Sequence, residues 1–163
     1  MKNRNKILIL DFGSQYTQLI ARRVREIGVF SEVKSSSYPV EKIIDMKPSG
    51  IILSGGPETV TINSSQKVDK SLLESNIPIL GICYGMQTIA KELGGSVVNS
   101  EIREFGHAEI SNVNESILFK DINFSKNLDV WMSHGDKVET VPEDFEIIAS
   151  SKDCNAAGFQ NKS

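Results

Sequence analysis

Short apolar runs alternate with amphipathic segments along the first half of the chain. Lys6–Leu10 is predicted as a first buried strand and Gly50–Leu53 as a further apolar strand, and Val29–Val33 suits a strand between them. The segment Tyr16–Ile27 carries apolar residues at helical spacing and stops at a glycine, and a shorter helix is predicted over Val40–Met46. Strands that are apolar throughout and separated by helices indicate a parallel sheet covered on both faces.

The middle of the chain repeats this alternation around one cysteine. A helix predicted over Lys67–Glu74 leads into a fourth apolar run, Ile79–Ile82, which we expect to be a buried strand. Cys83 follows directly, and apolar residues then recur at helical spacing from Met86 to Leu93 before two glycines end the pattern. Cys83 therefore stands on a predicted strand-to-helix turn.

Cys83 has a glycine two residues away on each side within Gly81–Gly85. Small flanking residues allow a tight, strained turn that lifts a nucleophile above the sheet, as in the G-x-S-x-G elbow. The helix N-terminus favours the thiolate, and the Tyr84 N–H is placed to stabilise an oxyanion. Gln87, one helical turn on, is a candidate for a polar substrate contact. The alternative for Cys83 is a buried core cysteine whose flanking glycines merely allow close packing. The alternative for Gln87 is an exposed helical residue.

Two further loops are expected at the same edge of the sheet. In parallel sheets the functional crevice lies at the carboxyl ends of the strands, which here lead into Asp11–Gln15, Ser54–Pro57 and the Cys83 turn. Adjacent glycines leave backbone N–H groups unshielded, so Gly56 is predicted as a second oxyanion donor opposite Tyr84. The alternative is an ordinary S-G-G-P turn.

After Gly95 the sequence pattern changes to short segments rich in β-forming residues, separated by polar turns. These pieces are Val97–Val98, His107–Val113, Asp129–Met132 and Phe145–Ala149. They indicate a small antiparallel extension or edge of the sheet. The fold class expected from the whole pattern is α/β, a three-layer α/β/α arrangement around a mostly parallel central sheet.

A polar cluster follows the predicted strand Asp129–Met132. It consists of Ser133, His134, Gly135 and Asp136. A strand end that delivers these groups in succession is suited to line a crevice. His134 is interpreted either as a residue for substrate recognition or acid–base chemistry, or as a turn histidine bonded to local backbone. His107 lies in an alternating pattern and is interpreted as structural.

Composition narrows the class of protein. The chain has 163 residues and 18.0 kDa, which fits one domain, and its 39% hydrophobic and 24% charged residues are those of a soluble globular protein. A net charge of -3 argues against a nucleic-acid-binding surface. The two cysteines, Cys83 and Cys154, form neither a disulfide framework nor a zinc pattern, which fits a reducing cytoplasm. No signal-peptide core or membrane-spanning run is recognisable, and no metal site is predicted.

Five motifs follow one another along the chain: Leu10–Tyr16 (LDFGSQY), Leu53–Pro57 (LSGGP), Gly81–Gln87 (GICYGMQ), Arg103–His107 (REFGH) and Trp131–Asp136 (WMSHGD). Together they resemble the glutamine-hydrolysing GMP synthase family, and within it the N-terminal class I glutamine amidotransferase domain. The similarity runs from about residue 6 to about residue 158. The resemblance implies one amidotransferase domain over residues 1–163, of the flavodoxin-like α/β/α type.

The resemblance also implies a cysteine-dependent glutaminase. Cys83 would attack the side-chain amide of L-glutamine, release ammonia and form a γ-glutamyl thioester that water hydrolyses, while the Gly56 and Tyr84 N–H groups hold the oxyanion. The residues implied to bind glutamine are Gly55, Pro57, Gln87, Ser133, His134, Gly135 and Asp136.

The amidotransferase domain of the family needs no cofactor. Its ammonia passes to a C-terminal ATP-pyrophosphatase domain, the synthetase domain, where XMP is adenylylated with ATP and Mg²⁺ and then aminated to GMP. The resemblance is compatible with a homodimer of the complete enzyme and implies no nucleic-acid or membrane partner.

One departure from the family concerns its catalytic triad, which a histidine and a glutamate complete in an F-H-P-E-type segment. No such segment occurs in the 163 residues, and neither His107 nor His134 sits in that context. We therefore expect a fragment of a longer enzyme, without the synthetase domain. We also expect it to be weak or inactive alone, because proton transfer of this kind contributes about 10²–10⁴-fold. The alternatives are a related-fold cysteine hydrolase acting on another substrate and a non-catalytic binding or regulatory module.

Overall fold

The computed structural model describes residues 5–61, 66–124 and 127–162, with backbone only for residues 100–105. These residues fall into two compact units, divided between Glu92 and Leu93. No helix in these ranges is both long and apolar enough to cross a membrane.

The first unit is a parallel sheet with helices between its strands. Its elements are β1 (Lys6–Asp11), α1 (Thr17–Glu26), β2 (Phe30–Ser35), α2 (Val40–Asp45), β3 (Gly50–Leu53), α3 (Lys70–Leu73), β4 (Ile79–Gly81) and α4 (Tyr84–Glu92). The strands pair in the order β2-β1-β3-β4, all parallel. Helical connections between parallel strands are right-handed. The strand β2 lies on one side of β1, while β3 and β4 lie on the other side. The helix α1 therefore covers one face of the sheet, and α2 and α3 cover the opposite face.

The core of this unit lies on β1 and β3. Leu8 and Leu53 are fully buried, since these strands have neighbours on both sides. The expectation that Ile79–Ile82 is a buried strand is wrong in part. β4 ends the parallel sheet and is covered less completely, so Leu80 and Ile82 are 39% and 37% exposed.

The helix α3 is shorter than the predicted span Lys67–Glu74. It begins only after Asp69, whose Oδ1 accepts a hydrogen bond from the Ser71 N–H at 2.9 Å. An N-cap of this kind satisfies a backbone donor that has no partner inside the helix, so the capping aspartate sets the first helical residue.

The second unit is a four-stranded antiparallel sheet in the order β6-β5-β7-β8. Its elements are β5 (Ser96–Asn112), a 3₁₀ turn (Ile117–Phe119), β6 (Leu128–Thr140), β7 (Phe145–Ser151) and β8 (Gly158–Asn161). The strands are longer than the predicted pieces, and they hydrogen-bond to one another as a sheet of their own rather than as an extension of the parallel sheet. The α/β class, with a mostly parallel part and a smaller antiparallel part, is confirmed.

Candidate active site

Cys83 lies in the two-residue connection between β4 and α4, directly before the first helical residue. Its backbone has φ +53°, in the left-handed region that residues with a Cβ rarely occupy. Its carbonyl oxygen accepts the hydrogen bond of the Gln87 N–H at 3.0 Å, which begins the helix. The side chain is half-buried. A strained residue held between a strand and a helix is the backbone arrangement of a nucleophile elbow.

The two flanking glycines leave no room for a side chain. A Cβ on Gly81 would lie 2.6 Å from the backbone nitrogen of Met86, and one on Gly85 would overlap the carbonyl oxygen of Leu53. Backbone atoms cannot turn aside, so both positions require glycine. The Gly85 N–H also donates to the Ser54 carbonyl oxygen at 3.1 Å. The elbow therefore packs directly on the carboxyl end of β3.

Three loops meet at the elbow, as the topology predicted. A Cβ placed on Gly55 would lie 3.5 Å from the Cβ of Cys83 and 3.6 Å from the Oγ of Ser14. One placed on Gly56 would lie 2.6 Å from the carbonyl oxygen of Phe12. The loops that follow β1, β3 and β4 are thus in direct contact within the first unit.

Ser54 connects these loops, a role that was not predicted from the sequence. It is fully buried. Its Oγ accepts from the Phe12 N–H at 3.0 Å and donates to the Gly55 carbonyl oxygen at 2.8 Å. Its own N–H donates to the Leu10 carbonyl oxygen at 3.0 Å. The signal in the sequence was a serine placed between a buried strand and two glycines, where only a hydrogen-bonded hydroxyl tolerates burial.

The Tyr84 side chain is a second feature that was not predicted, since the sequence pointed only to the backbone of this residue. The side chain is 1% exposed, and its ring centroid lies 5.5 Å from that of Phe12. Its hydroxyl donates a hydrogen bond to the carbonyl oxygen of Gln66. The first residue of α4 is thereby tied to the loop after β1 and to the segment before α3.

Gln87 and Pro57 complete the candidate residues of the first unit. Gln87 is 4% exposed, so it is not the exposed helical residue of the alternative interpretation. Pro57 is exposed, and its Cδ lies 3.2 Å from the position of a Cβ on Gly13. The proline therefore packs against the loop after β1.

The four remaining candidates belong to the second unit. Ser133, His134, Gly135 and Asp136 lie inside β6 and not beyond a strand end as predicted. The pairing with β5 changes register here: Asn99 is opposite Asp136, and Glu104 is opposite His134. The Asn99 Nδ2 donates to the Asp136 Oδ1 at 2.9 Å, and Asp136 is 7% exposed. The polar cluster thus stands at an irregularity in the pairing of β5 with β6.

His107 forms a cross-strand pair on the second unit. Its Nε2 lies 2.7 Å from the Oδ1 of Asp129, and both side chains are well exposed. The pair agrees with the structural interpretation of this histidine. Within the described ranges, no group of three or more His, Cys, Asp or Glu side chains is arranged to hold a metal ion.

One protein-family model matches nearly the whole chain, including the cysteine elbow and the glycine loop. The model describes glutamine amidotransferase class-I and matches residues 8–163. The chain belongs to the class I glutamine amidotransferases.

Curated relatives of this amidotransferase chain carry the name GMP synthase [glutamine-hydrolyzing]. The protein of Teredinibacter turnerae is 53% identical over 160 residues, which cover 94% of this chain and 30% of the relative. The protein of a Marinomonas species is 54% identical over 164 residues, which cover 97% of this chain and 31% of the relative. The predicted resemblance to GMP synthases is confirmed, and the chain spans about 30% of the length of these relatives.

Solved structures show the same fold. A Thermoplasma acidophilum protein, described as a candidate component of GMP synthase, superposes with a TM-score of 0.83 at 30% identity, covering 100% of this chain and 81% of that one. A glutamine amidotransferase of Thermotoga maritima gives a TM-score of 0.76 at 22% identity, covering 98% of this chain and 72% of that one. The second similarity supports the amidotransferase fold alone.

Proposed function

We propose that this chain is the glutaminase domain of a glutamine-hydrolysing GMP synthase. The observation that carries the proposal is the Cys83 elbow, with its φ of +53° and with Gly55 so near that a Cβ placed on it would lie 3.5 Å from the cysteine Cβ. A cysteine held this way, beside a glycine loop and at the start of a helix, has the parts that acyl transfer from an amide requires. Membership of the class I amidotransferases makes glutamine the favoured amide.

The proposed reaction proceeds in two steps at Cys83. The thiolate attacks the side-chain carbonyl carbon of glutamine, and the resulting oxyanion is held by the N–H groups of Gly56 and Tyr84. The C–N bond then breaks, and the nitrogen takes up the proton that the Cys83 thiol has lost and leaves as ammonia. Water attacks the γ-glutamyl thioester that remains, which yields glutamate and restores the cysteine.

The candidate residues named from the sequence are proposed to hold the rest of the substrate. We assign glutamine binding to Gly55, Pro57, Gln87, Ser133, His134, Gly135 and Asp136. Gln87 is supported by its place on the first turns of α4, and Asp136 by a carboxylate that Asn99 already orients.

The ammonia is proposed to serve a C-terminal ATP-pyrophosphatase domain of the same enzyme. In that domain XMP would be adenylylated with ATP and Mg²⁺ and then aminated to GMP. We assign no cofactor to this chain. A cytoplasmic location and a homodimer of the complete enzyme belong to the same proposal.

Ammonia release from L-glutamine tests the function directly. In the complete enzyme we expect release that the Cys83→Ala variant abolishes and that Cys154→Ala retains, because Cys154 is buried in the second unit at 2% exposure. A chloroketone analogue of glutamine should alkylate Cys83 and block release.

Each alternative gives a different result in the same assay. A reactive Cys83 that neither releases ammonia nor is labelled by the analogue would indicate a cysteine hydrolase for another substrate. An unreactive Cys83, with glutamine bound equally by Cys83→Ala, would indicate a non-catalytic binding module.

The weak or absent activity expected of residues 1–163 alone stays a prediction. It is tested by comparing this chain with a longer one that adds a histidine–glutamate segment of the family type. Equal turnover numbers for the two chains would contradict it.

A further inference from the structure

We propose that Ser54 is a positioning residue that sets the direction of the Gly56 N–H. Ser54 immediately precedes the Gly55–Gly56 peptide, and its hydroxyl donates to the Gly55 carbonyl oxygen at 2.8 Å. The inference rests on the proposed function, in which the Gly56 N–H holds the oxyanion.

The Gly55–Gly56 peptide is a single rigid unit. No cis peptide occurs in the described residues, so the Gly55 C=O and the Gly56 N–H point in opposite directions from one plane. A hydrogen bond that fixes the carbonyl therefore fixes the N–H as well. Glycine on both sides of this peptide leaves its rotation almost unhindered, so the chain itself does not select the orientation.

The direction of the Ser54 hydroxyl proton is determined by its surroundings. A serine hydroxyl has a single proton to donate. Since the Oγ accepts from the Phe12 N–H at 3.0 Å, its proton is left for the Gly55 carbonyl. Ser54 is 0% exposed, so bulk water does not compete for either bond.

The same hydroxyl also holds the backbone of Phe12, against which Gly56 packs. A Cβ on Gly56 would lie 2.6 Å from the carbonyl oxygen of Phe12, and the N–H of Phe12 is the group that Ser54 holds. The hydroxyl thus restrains both sides of the Gly56 backbone, the preceding carbonyl and the neighbouring strand end. An oxyanion donor is effective only when its direction is fixed before the reaction.

The test compares Ser54→Ala and Ser54→Thr with wild type in the complete protein. Loss of an oxyanion donor lowers kcat by about 10²–10³-fold, and a misdirected donor loses part of this, so we expect Ser54→Ala to lower kcat by about 10–10²-fold. The KM for glutamine should change by less than about 3-fold, because the donor acts in the transition state. Ser54→Thr keeps the hydroxyl and should recover most of kcat.

Two controls separate positioning from general damage. Ser31→Ala removes another buried serine, 1% exposed, whose hydroxyl donates to the Ala21 carbonyl oxygen at 2.9 Å, and it should leave kcat unchanged. Alkylation of Cys83 by iodoacetamide forms no oxyanion and should proceed at the wild-type rate in Ser54→Ala. If Ser54→Ala does not fold, Ser54→Cys replaces it, because a thiol fills the space but donates weakly.

Two results would overturn the inference. One is a kcat for Ser54→Ala within about 3-fold of wild type. The other is a crystal structure of Ser54→Ala in which the Gly55 carbonyl keeps its direction. The crystallographic comparison does not depend on glutamine. If wild type shows no Cys83-dependent hydrolysis, the proposed function fails, while the structure of Ser54→Ala still decides whether this hydroxyl orients the peptide.

Discussion

Gly85→Ala is the substitution that most directly tests the packing of the elbow. The new Cβ would overlap the Leu53 carbonyl oxygen and lie 2.7 Å from the Leu53 Cβ and 2.8 Å from its carbonyl carbon. A Cβ essentially never lies within 3.0 Å of another non-bonded heavy atom, so α4 and the end of β3 must move apart until all three distances exceed this limit. The separation would also strain the hydrogen bond from the Gly85 N–H to the Ser54 carbonyl, now 3.1 Å long.

The expected cost follows from two opposed effects. Overpacking of this kind costs about 1–3 kcal/mol. Alanine is favoured over glycine in a helix by at most about 1 kcal/mol, and by less at Gly85, which lies in the first turn of α4. We therefore expect a net destabilisation of about 1–2 kcal/mol, which lowers Tm by roughly 2–8 °C for a chain of this size. Because the shift also moves Cys83, turnover should fall by about 10-fold or more.

Thermal unfolding followed by far-ultraviolet circular dichroism measures the first effect, and ammonia release measures the second. The matched control is Gly158→Ala in β8, where the nearest atoms to a Cβ lie 3.4 Å away, an ordinary contact. We expect the control to keep both the Tm and the turnover of wild type. A Gly85→Ala variant with the wild-type Tm and turnover would refute the close approach on which the elbow assignment depends.

Two further predictions concern exposure and charge. In the native protein a disulfide reagent should react quickly with the half-buried Cys83 and should react with the buried Cys154 only after denaturation. A thiol that still reacts quickly in Cys83→Ala would contradict this. Hydrogen bonds from the Ser71 hydroxyl and N–H lower the pKa of Asp69 below its ordinary 3.8, so this cap stabilises the protein fully above that pH and less as the pH falls through the lowered pKa. Urea denaturation should show that Asp69→Ala lowers the free energy of unfolding by about 0.5–2 kcal/mol at neutral pH. This difference from wild type should shrink in acid, where the carboxylate is protonated. An equal difference at about pH 7 and about pH 2.5 would exclude the charged cap.

Several features of the fold and the site could be predicted from local sequence because their causes are local. A strand with neighbours on both sides and helices on both faces is apolar throughout, so β1 and β3 were recognisable from their own residues. The Cys83 turn was recognisable for a similar reason, since glycines two residues away on either side are required by the elbow itself. The meeting of three loops followed from the parallel order of the strands.

Other features could not be read from local sequence. The exposure of Leu80 follows from the position of β4 at the end of the parallel sheet, and its own sequence is as apolar as that of β1. Ser133–Asp136 has the composition of a turn, but pairing with β5 extends the strand through it to Thr140. In both cases the neighbouring strand, which is distant in sequence, decided the outcome.

The sequence by itself determined that this chain has a parallel α/β unit with a cysteine on a strand-to-helix elbow, because hydrophobic period and glycine spacing are local constraints on the backbone. Only the tertiary structure decided how the site is held. Ser54 became its central hydrogen-bonding residue because folding buries one hydroxyl between the Phe12 N–H and the Gly55 carbonyl. A serine in an unfolded chain has the same chemistry everywhere, and burial among specific partners gives it a single direction.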